Sequence, residues 1–348
     1  PLIGGPMIDN LGWRSIFLLN IPVGIVGTIM AFVFVNESVS GNQAKKFDWW
    51  GALTLGTALS ALVLVLDQGN AWGWSDYRSM ICYFITVLFT FIFLFIEAKA
   101  EDPIVDLKFF KNSVFVNTLV NNFVVFMALM GAIFLVPVFV LTYLGYNATK
   151  TGLIFIPMAF CMVIFSAIGG SLTGKVKPKY VVFISTIVAA FGVYLFTFLD
   201  PRSTLIDVLI PLSIMAMGLG FGMAQRTSIV AAVVPIEEMG IASSVLALGR
   251  NIAGAFGVAI FGTILTNATK RNLLNTAYHS VINVLNPVTY QQGVALVILK
   301  AQIDAYKPVF ITASIVLLIG SFLALFMNVS KEQMRSKHEG EPQDFVEV

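Results

Sequence analysis

The sequence predicts an all-α polytopic membrane protein, for three reasons. Of the 348 residues, 57% are hydrophobic and only 11% are charged, whereas a soluble domain carries about 25% charged residues. The apolar residues fall in long blocks, and about 20 helical residues cross a bilayer core of about 30 Å. Lysine and arginine are grouped between the blocks, as in the loops of membrane proteins. A chain of this composition cannot cover itself with polar surface in water.

Nine complete membrane helices are predicted to follow the end of an earlier helix at residues 1–8. Each prediction rests on an apolar block of the length that a span requires. Trp49 and Trp50 at one end of a span, and Trp72 and Trp74 at the other, are typical of membrane interfaces. In chain order, the approximate cores are residues 16–35, 49–66, 81–96, 116–141, 151–173, 180–199, 208–231, 241–265 and 309–327.

Two segments between the spans have a different pattern. In residues 101–112 apolar and charged side chains alternate, which predicts a connector lying on the cytoplasmic membrane surface. Residues 267–307 mix polar residues with an apolar run too short to span, so we expect a loop with an interfacial piece.

The positive charges predict the orientation of the chain. If the loop at residues 9–14 faces outward, the short outward loops hold one cation each, namely Arg14, Arg78, Lys150 and Arg202. The inward side holds Lys45, Lys46, Lys99, Lys108, Lys111, Lys175, Lys177, Lys179, Lys331, Arg335 and Lys337. Because cytoplasmic loops are enriched in lysine and arginine, the C-terminal tail is expected in the cytoplasm.

Several classes of function find no support in the residues. The run Gly218-Leu219-Gly220-Phe221-Gly222 lies inside a span and lacks the lysine of a phosphate-binding loop. No cluster has metal-ligand spacing, so neither a metal nor a cofactor is expected. A net charge of +2 gives no field that would attract nucleic acid. The sequence therefore does not indicate an enzyme.

The opening stretch carries the most informative motif. It reads Pro1-Leu2-Ile3-Gly4-Gly5-Pro6, followed by Gly12-Trp13-Arg14-Ser15-Ile16-Phe17-Leu18-Leu19-Asn20-Ile21-Pro22-Val23-Gly24. Pro1 removes a helix hydrogen bond, and Gly4 and Gly5 let a neighbouring helix approach closely. The stretch resembles the end of the antiporter motif of the major facilitator superfamily. The alternative is the ordinary glycine and proline content of membrane helices.

Later motifs resemble the fourteen-helix branch of that superfamily typified by EmrB and QacA. They are Leu66-Asp67-Gln68-Gly69 with Trp72-Gly73-Trp74, Asp102-Pro103-Ile104-Val105-Asp106-Leu107 with Phe109-Phe110-Lys111-Asn112, and Glu238-Met239-Gly240-Ile241-Ala242-Ser243-Ser244 leading to Arg250. The resemblance implies the end of an N-terminal helix bundle at 1–36 and two linker helices with a cytoplasmic connector at 37–112. It also implies a six-helix C-terminal bundle at 113–329, a cytoplasmic tail at 330–348, and four helices upstream that hold the proton-carrying acid.

Inside the spans, ionisable groups are functional candidates because their burial is costly. Arg226 follows Gly218, Gly220 and Gly222, whose spacing would bring a neighbouring helix close. The alternative for Arg226 is a side chain that extends to the cytoplasmic interface. Arg250 lies nearer the middle of its span, so we expect an ion pair or hydrogen bonds there.

A substrate cavity is predicted around polar residues in apolar helices. The candidates are Asn121, Asn122, Phe126, Met130 and Gln225. An amide facing the cavity would give a polar anchor beside aromatic and thioether surface, which suits varied lipophilic substrates. The alternative is that the amides bond between helices and the phenylalanines face lipid.

The resemblance implies a multidrug antiporter of the bacterial inner membrane. It would export lipophilic or cationic drugs against inward proton flow by alternating access. Some members of the superfamily work with a periplasmic adaptor and an outer-membrane channel, but no residue here indicates such a partner. The alternatives are export of a siderophore, lipid or metabolite by the same fold, and a non-transporting membrane scaffold or sensor.

Overall fold

The computed structural model describes residues 2–34, 48–100, 103–200, 202–235, 238–279 and 287–328, and these ranges are helical without strands. Within them, nine helical segments are long and apolar enough to span a bilayer, which confirms the predicted all-α polytopic fold. The helices are α1 Gly4–Leu11, α2 Ser15–Phe34, α3 Trp49–Trp72, α4 Tyr77–Glu97, α5 Ser113–Thr142, α6 Ala148–Leu153, α7 Phe155–Ser171, α8 Pro178–Leu195, α9 Leu205–Val233, α10 Met239–His279, α11 Pro287–Asp304 and α12 Tyr306–Ala324.

Side-chain caps define where several helices begin. Asp48 accepts a hydrogen bond from the Gly51 amide at the start of α3, and Asn112 does the same for the Val114 amide at the start of α5. These oxygens satisfy amide groups that have no partner within the helix. The ends of the spans are therefore fixed by local polar residues rather than by the apolar blocks alone.

Six spans pack into one bundle, and glycines let them approach closely. The spans are α5, the pair α6 and α7, α8, α9, α10 and α12. A Cβ atom at Gly257 would overlap the carbonyl oxygen of Met127, and one at Gly218 would overlap the backbone of α8. In a membrane, where lipid is as apolar as the helices, such small residues allow the backbones to make contact. The core includes Leu129, Phe139, Val193, Leu212, Met215, Phe310 and Leu317.

The two ends of the bundle differ in chemistry. At one end, Tyr306 packs edge-on against Phe139 and Tyr143, with ring centres 5.3 and 5.7 Å apart. At the other, Lys179 Nζ donates to Asn328 Oδ1 over 2.7 Å, which joins the start of α8 to the end of α12. We call this second end the cationic end, because it gathers Lys108, Lys111, Lys175, Lys177 and Lys179.

Helices α3 and α4 form a hairpin beside the bundle. Thr263 Oγ1 of α10 donates to Asn70 Oδ1 of α3 over 3.0 Å. In the connector after α4, Glu97 accepts a hydrogen bond from the Val105 amide, and a short 3-10 helix spans Leu107–Lys111. Val105 and Phe109 are buried against the protein. This part of the connector therefore turns apolar side chains toward protein rather than lipid.

In the described part of residues 267–307, which excludes residues 280–286, the predicted loop is wrong. Helix α10 continues to His279, and α11 covers Pro287–Asp304. No glycine or proline interrupts residues 263–286, and the alanine, leucine, lysine and arginine residues there favour helix despite being too polar to span. Asn272 Nδ2 of α10 donates to the Ala301 carbonyl of α11 over 3.4 Å, so the two helices pack together.

We predict that Gly257→Leu destabilises the contact between α5 and α10. The new side chain would overlap the Met127 backbone, and overpacking costs about 1–3 kcal/mol. The midpoint of thermal unfolding in detergent should fall by several degrees. Gly262→Leu on the same helix is the matched control, because a Cβ there meets no atom within 4 Å. Equal losses in the two variants would contradict the prediction.

Candidate functional site

The side chain of Arg226 is the centre of a polar network inside the bundle. It is only 4% exposed. Its Nε donates to Asn121 Oδ1 of α5 and its Nη2 donates to Thr186 Oγ1 of α8, both over 3.0 Å. Asn121 Nδ2 donates in turn to the Gly320 carbonyl of α12 over 2.6 Å. One guanidinium thus holds four helices in register.

Glycine makes the room that this guanidinium occupies. A Cβ atom at Gly222, one turn before Arg226, would overlap Ser185 Oγ of α8 and lie 3.0 Å from Arg226 Nη1. Arg226 lies seven residues before the end of α9 at Val233, which is about 10 Å along a helix. Its hydrogen bonds point to neighbouring helices, so the side chain is fixed within the bundle rather than extended to the interface.

A cavity of about 70 Å³ lies beside this network, between α5, α9 and α10. The guanidinium carbon of Arg250 stands 5.5 Å from the centre of the Phe126 ring, a cation–π contact. Asn122 Nδ2 donates to the Leu246 carbonyl over 3.4 Å and joins α5 to α10 at the cavity wall. The lining residues are Asn122, Phe126, Met223, Arg226, Thr227, Ser243, Leu246 and Arg250.

The charged residues that line the described part of the cavity are all positive. Of the described residues, two arginines line it, and no aspartate or glutamate does so. Among the described residues, the ion pairs are Lys108 with Asp106 and Lys307 with Asp304, so neither cavity arginine has a carboxylate partner there. The same ranges contain no group of three histidine, cysteine, aspartate or glutamate side chains that could hold a metal ion.

The structure brings some of the predicted site residues together and separates others. Asn122, Phe126, Arg226 and Arg250 meet at the cavity. Asn121 bonds between helices, as described above. The remaining two candidates lie elsewhere: Gln225 Nε2 donates to the Gly169 carbonyl of α7 over 2.7 Å, and Met130 packs beside Gly254 of α10.

Sequence reasoning missed half of the cavity lining. Met223 and Thr227 flank Arg226 on α9, four residues apart, and Ser243, Leu246 and Arg250 recur on α10 at intervals of three and four. Residues with this spacing share one face of a helix. Their spacing from Arg226 and Arg250 could have predicted these residues. The spacing alone, however, does not show which face of each helix lines the cavity.

The N-terminal motif forms a second contact of interest, between α1 and α6. Gly5 is buried, and a Cβ there would press against the Ala148 backbone, whereas Gly4 faces open space. Pro6 is partly exposed in α1, and Pro1 lies outside the described residues. The close approach predicted for both glycines therefore depends on Gly5.

Asp9, which sequence reasoning placed only in a loop, strengthens the same contact. Its carboxylate accepts hydrogen bonds from the Thr149 hydroxyl over 2.6 Å and from the Thr149 amide over 2.8 Å. It thereby caps the first turn of α6 from another helix. The hydrogen bonds from the Thr149 side chain and amide lower the pKa of Asp9 below its usual value. The carboxylate is therefore ionised at neutral pH.

Comparison with known proteins gives a consistent picture. The profile of the Major Facilitator Superfamily matches residues 1–258. The Bacillus subtilis strain 168 protein named Multidrug transporter protein MdtP is 31% identical over 278 residues, which are 79% of this chain and 50% of that protein. Multidrug resistance protein Stp of Mycobacterium tuberculosis H37Rv is 27% identical over 265 residues, 76% of this chain and 49% of that protein. The chain thus spans about half the length of these relatives.

A solved structure shares the fold. It is a bacterial homologue of the human lysosomal transporter Spinster, in an inward-facing and unoccupied conformation. The TM-score is 0.51 at 12% identity, and the match covers 82% of this chain and 69% of that one. At this identity, the likeness concerns the helical architecture alone.

We predict that Asp9→Asn weakens the contact between α1 and α6 at neutral pH. A carboxyl group with a lowered pKa contributes stability above its ordinary pKa and loses that stability as the pH falls through the lowered value. The wild-type protein should therefore unfold at a higher temperature than the variant at about pH 7, and the difference should shrink as the pH falls below about 4, the ordinary pKa of an aspartate.

The control is Asp67→Asn, since Asp67 is exposed and accepts a hydrogen bond from its neighbour Gln68. A difference between wild type and Asp9→Asn that persists unchanged in acid would contradict the assignment.

Proposed function

The chain belongs to the Major Facilitator Superfamily, and we propose that it is part of a secondary active transporter that exports lipophilic or cationic drugs in exchange for protons. The relatives named as multidrug proteins support drug efflux. The observation that carries the lipophilic part of the proposal is the cavity between α5, α9 and α10, where Phe126, Met223 and Leu246 give apolar surface beside polar anchors. Pockets of this kind orient apolar ligands through a few polar groups.

Alternating access would use the cavity between α5, α9 and α10 and the contact between α1 and α6. In carriers of this type, one bundle rocks against the other around a central site. We propose that α1 and α2 belong to the N-terminal bundle, residues 1–36, and that α5 to α12 form the C-terminal bundle within 113–329. The contact of Gly5 and Asp9 with α6 would then be a seam between the bundles that opens and closes during transport.

Coupling to protons is proposed from the superfamily rather than from a residue. The sequence has no phosphate-binding loop, so an ion gradient is the available energy source. The described part of the cavity wall contains no carboxylate that could carry a proton. We therefore propose that the proton carrier lies outside this cavity, as the resemblance to the fourteen-helix branch also implies. Export across the inner membrane alone requires neither a periplasmic adaptor nor an outer-membrane channel.

A second candidate is export of an acidic metabolite or siderophore by the same fold. The observation that favours it is the pair Arg226 and Arg250 on a cavity whose described lining residues include no acid. A basic cavity attracts anions and repels cations.

The chain is an integral membrane protein, and the bacterial plasma membrane is its expected location. We propose that residues 37–112 supply two linker spans and a cytoplasmic connector, and that the cationic end of the bundle faces the cytoplasm. The tail at 330–348, which lies outside the described residues, would then be cytoplasmic as well.

We predict that the natural full-length protein, reconstituted in proteoliposomes, moves a lipophilic dye only while a pH gradient is present. A protonophore should abolish the movement, whereas ATP should have no effect. Dye movement that survives collapse of the pH gradient would exclude proton coupling, and no movement of any lipophilic probe would exclude drug export.

We also predict that Phe126→Ala lowers dye transport about tenfold, because the variant removes apolar surface and the cation–π contact of Arg250. A tenfold loss corresponds to about 1.4 kcal/mol. Phe134→Ala, on the same helix but 52% exposed, should transport normally. Equal losses of dye transport in the two variants would show that the cavity has no specific role in transport.

The orientation is tested by cysteine labelling in a background without Cys82 and Cys161. We expect cysteines at Lys99 and Lys177 to react with an impermeant reagent from the cytoplasmic face, and a cysteine at Arg202 from the opposite face. Labelling of the two lysine positions from opposite faces would contradict the topology.

A further inference from the structure

We propose that the cavity between α5, α9 and α10 binds a carboxylate, namely the acid group of an amphiphilic substrate. The inference rests on the proposed transport function and names the substrate chemistry that this part of the site selects. Arg226 and Arg250 are the binding residues, and the hydrocarbon carbons next to the acid group would lie against the aromatic and aliphatic lining.

The first argument is the electrostatic imbalance of the cavity. A buried cation is costly unless an anion or several strong acceptors compensate it. Arg226 is only 4% exposed, yet its hydrogen-bond partners Asn121 and Thr186 are neutral. Arg250 is half-buried and has the face of the Phe126 ring as its described partner. Two positive charges therefore share a small space, and a bound anion would relieve both.

The second argument is the supply of free donors. Nε and Nη2 of Arg226 are engaged, but Nη1 has no acceptor among the described residues. The guanidinium of Arg250 likewise makes no hydrogen bond to a described residue. A guanidinium presents its donors as a planar fork that matches the two oxygens of a carboxylate. The Ser243 hydroxyl adds a donor at the same wall, whereas the Thr227 hydroxyl already donates to the Met223 carbonyl over 3.3 Å.

The third argument is size. A volume of about 70 Å³ exceeds the roughly 10–15 Å³ that one water needs, but it cannot enclose a whole drug. A carboxylate with a short hydrocarbon stub fits this space. The acid group would therefore enter the cavity, and the larger part of the molecule would remain outside it.

The described carboxylates of the chain itself do not fill this role. Glu238, at the start of α10, precedes Arg250 by twelve residues, which is about 18 Å along a helix. It forms no ion pair with either arginine. Lysines at the cationic end, including Lys175 and Lys177, would raise the local concentration of acidic substrates.

The test uses the purified full-length protein and three matched fluorescent probes: pyrenebutanoate, pyrenebutanol and pyrenebutyl-trimethylammonium. We expect pyrenebutanoate to bind at least tenfold more tightly than the other two. Arg250→Met should abolish most of that preference by lowering the affinity for pyrenebutanoate far more than the affinity for pyrenebutanol, and Arg250→Lys should restore part of it. Arg250 is half-buried and is not part of the Arg226 network, so the variant is expected to fold.

The matched control is Arg78→Met, which removes the same charge from an arginine outside the cavity and should bind all three probes as the wild type does. Equal affinity for the acid and the alcohol would overturn the proposal, as would equal losses for both probes in Arg250→Met. Stabilisation by sodium chloride without any by pyrenebutanoate would assign the cavity to a free inorganic anion and overturn it as well.

Transport measurements keep this inference separate from the proposed function. If proteoliposomes export pyrenebutanol in a proton-dependent manner but Arg250→Met does not alter selection of the acid, the carboxylate site fails and drug export stands. If none of the probes is transported while pyrenebutanoate still binds through Arg250, the transport proposal fails and the binding site stands.

Discussion

The burial of one guanidinium constrains the rest of the bundle. In a membrane, polar groups must find partners within the protein, because lipid offers none. Arg226 meets this requirement by drawing Asn121 of α5 and Thr186 of α8 to within 3.0 Å. Asn121 extends the network to α12. The arginine therefore sets the distances between four spans. Each of these spans must keep a polar or small residue at the level of the guanidinium.

Glycine is the second part of the same solution. Helices can approach a buried guanidinium only if their backbones are close, and Gly218 and Gly222 remove the side chains that would keep α8 and α9 apart. Gly257 does the same for α10 against α5. Close packing on these sides leaves the small space between α5, α9 and α10 open, so the cavity follows from where the glycines are placed.

The chemistry of that cavity bears on what the proposed transporter would select. The relatives carry names that refer to multiple drugs, and the lining offers the aromatic and thioether surface that broad selectivity requires. Its charge, in contrast, is positive, because Arg226 and Arg250 face it without a described carboxylate. Broad apolar recognition and selection for one charge can coexist in one site, since apolar side chains would supply the first and arginines the second.

The sequence by itself determined the spans, their polar ends and the placement of two arginines within them, because helix length and charge in lipid are set by local composition. It misjudged residues 267–307, where helix propensity continues beyond the apolar block. Only the tertiary structure decided that Asn121 bonds between helices while its neighbour Asn122 lines the cavity. Helical periodicity places a residue on a face of its own helix, but the partner of that face depends on how glycines let distant helices pack.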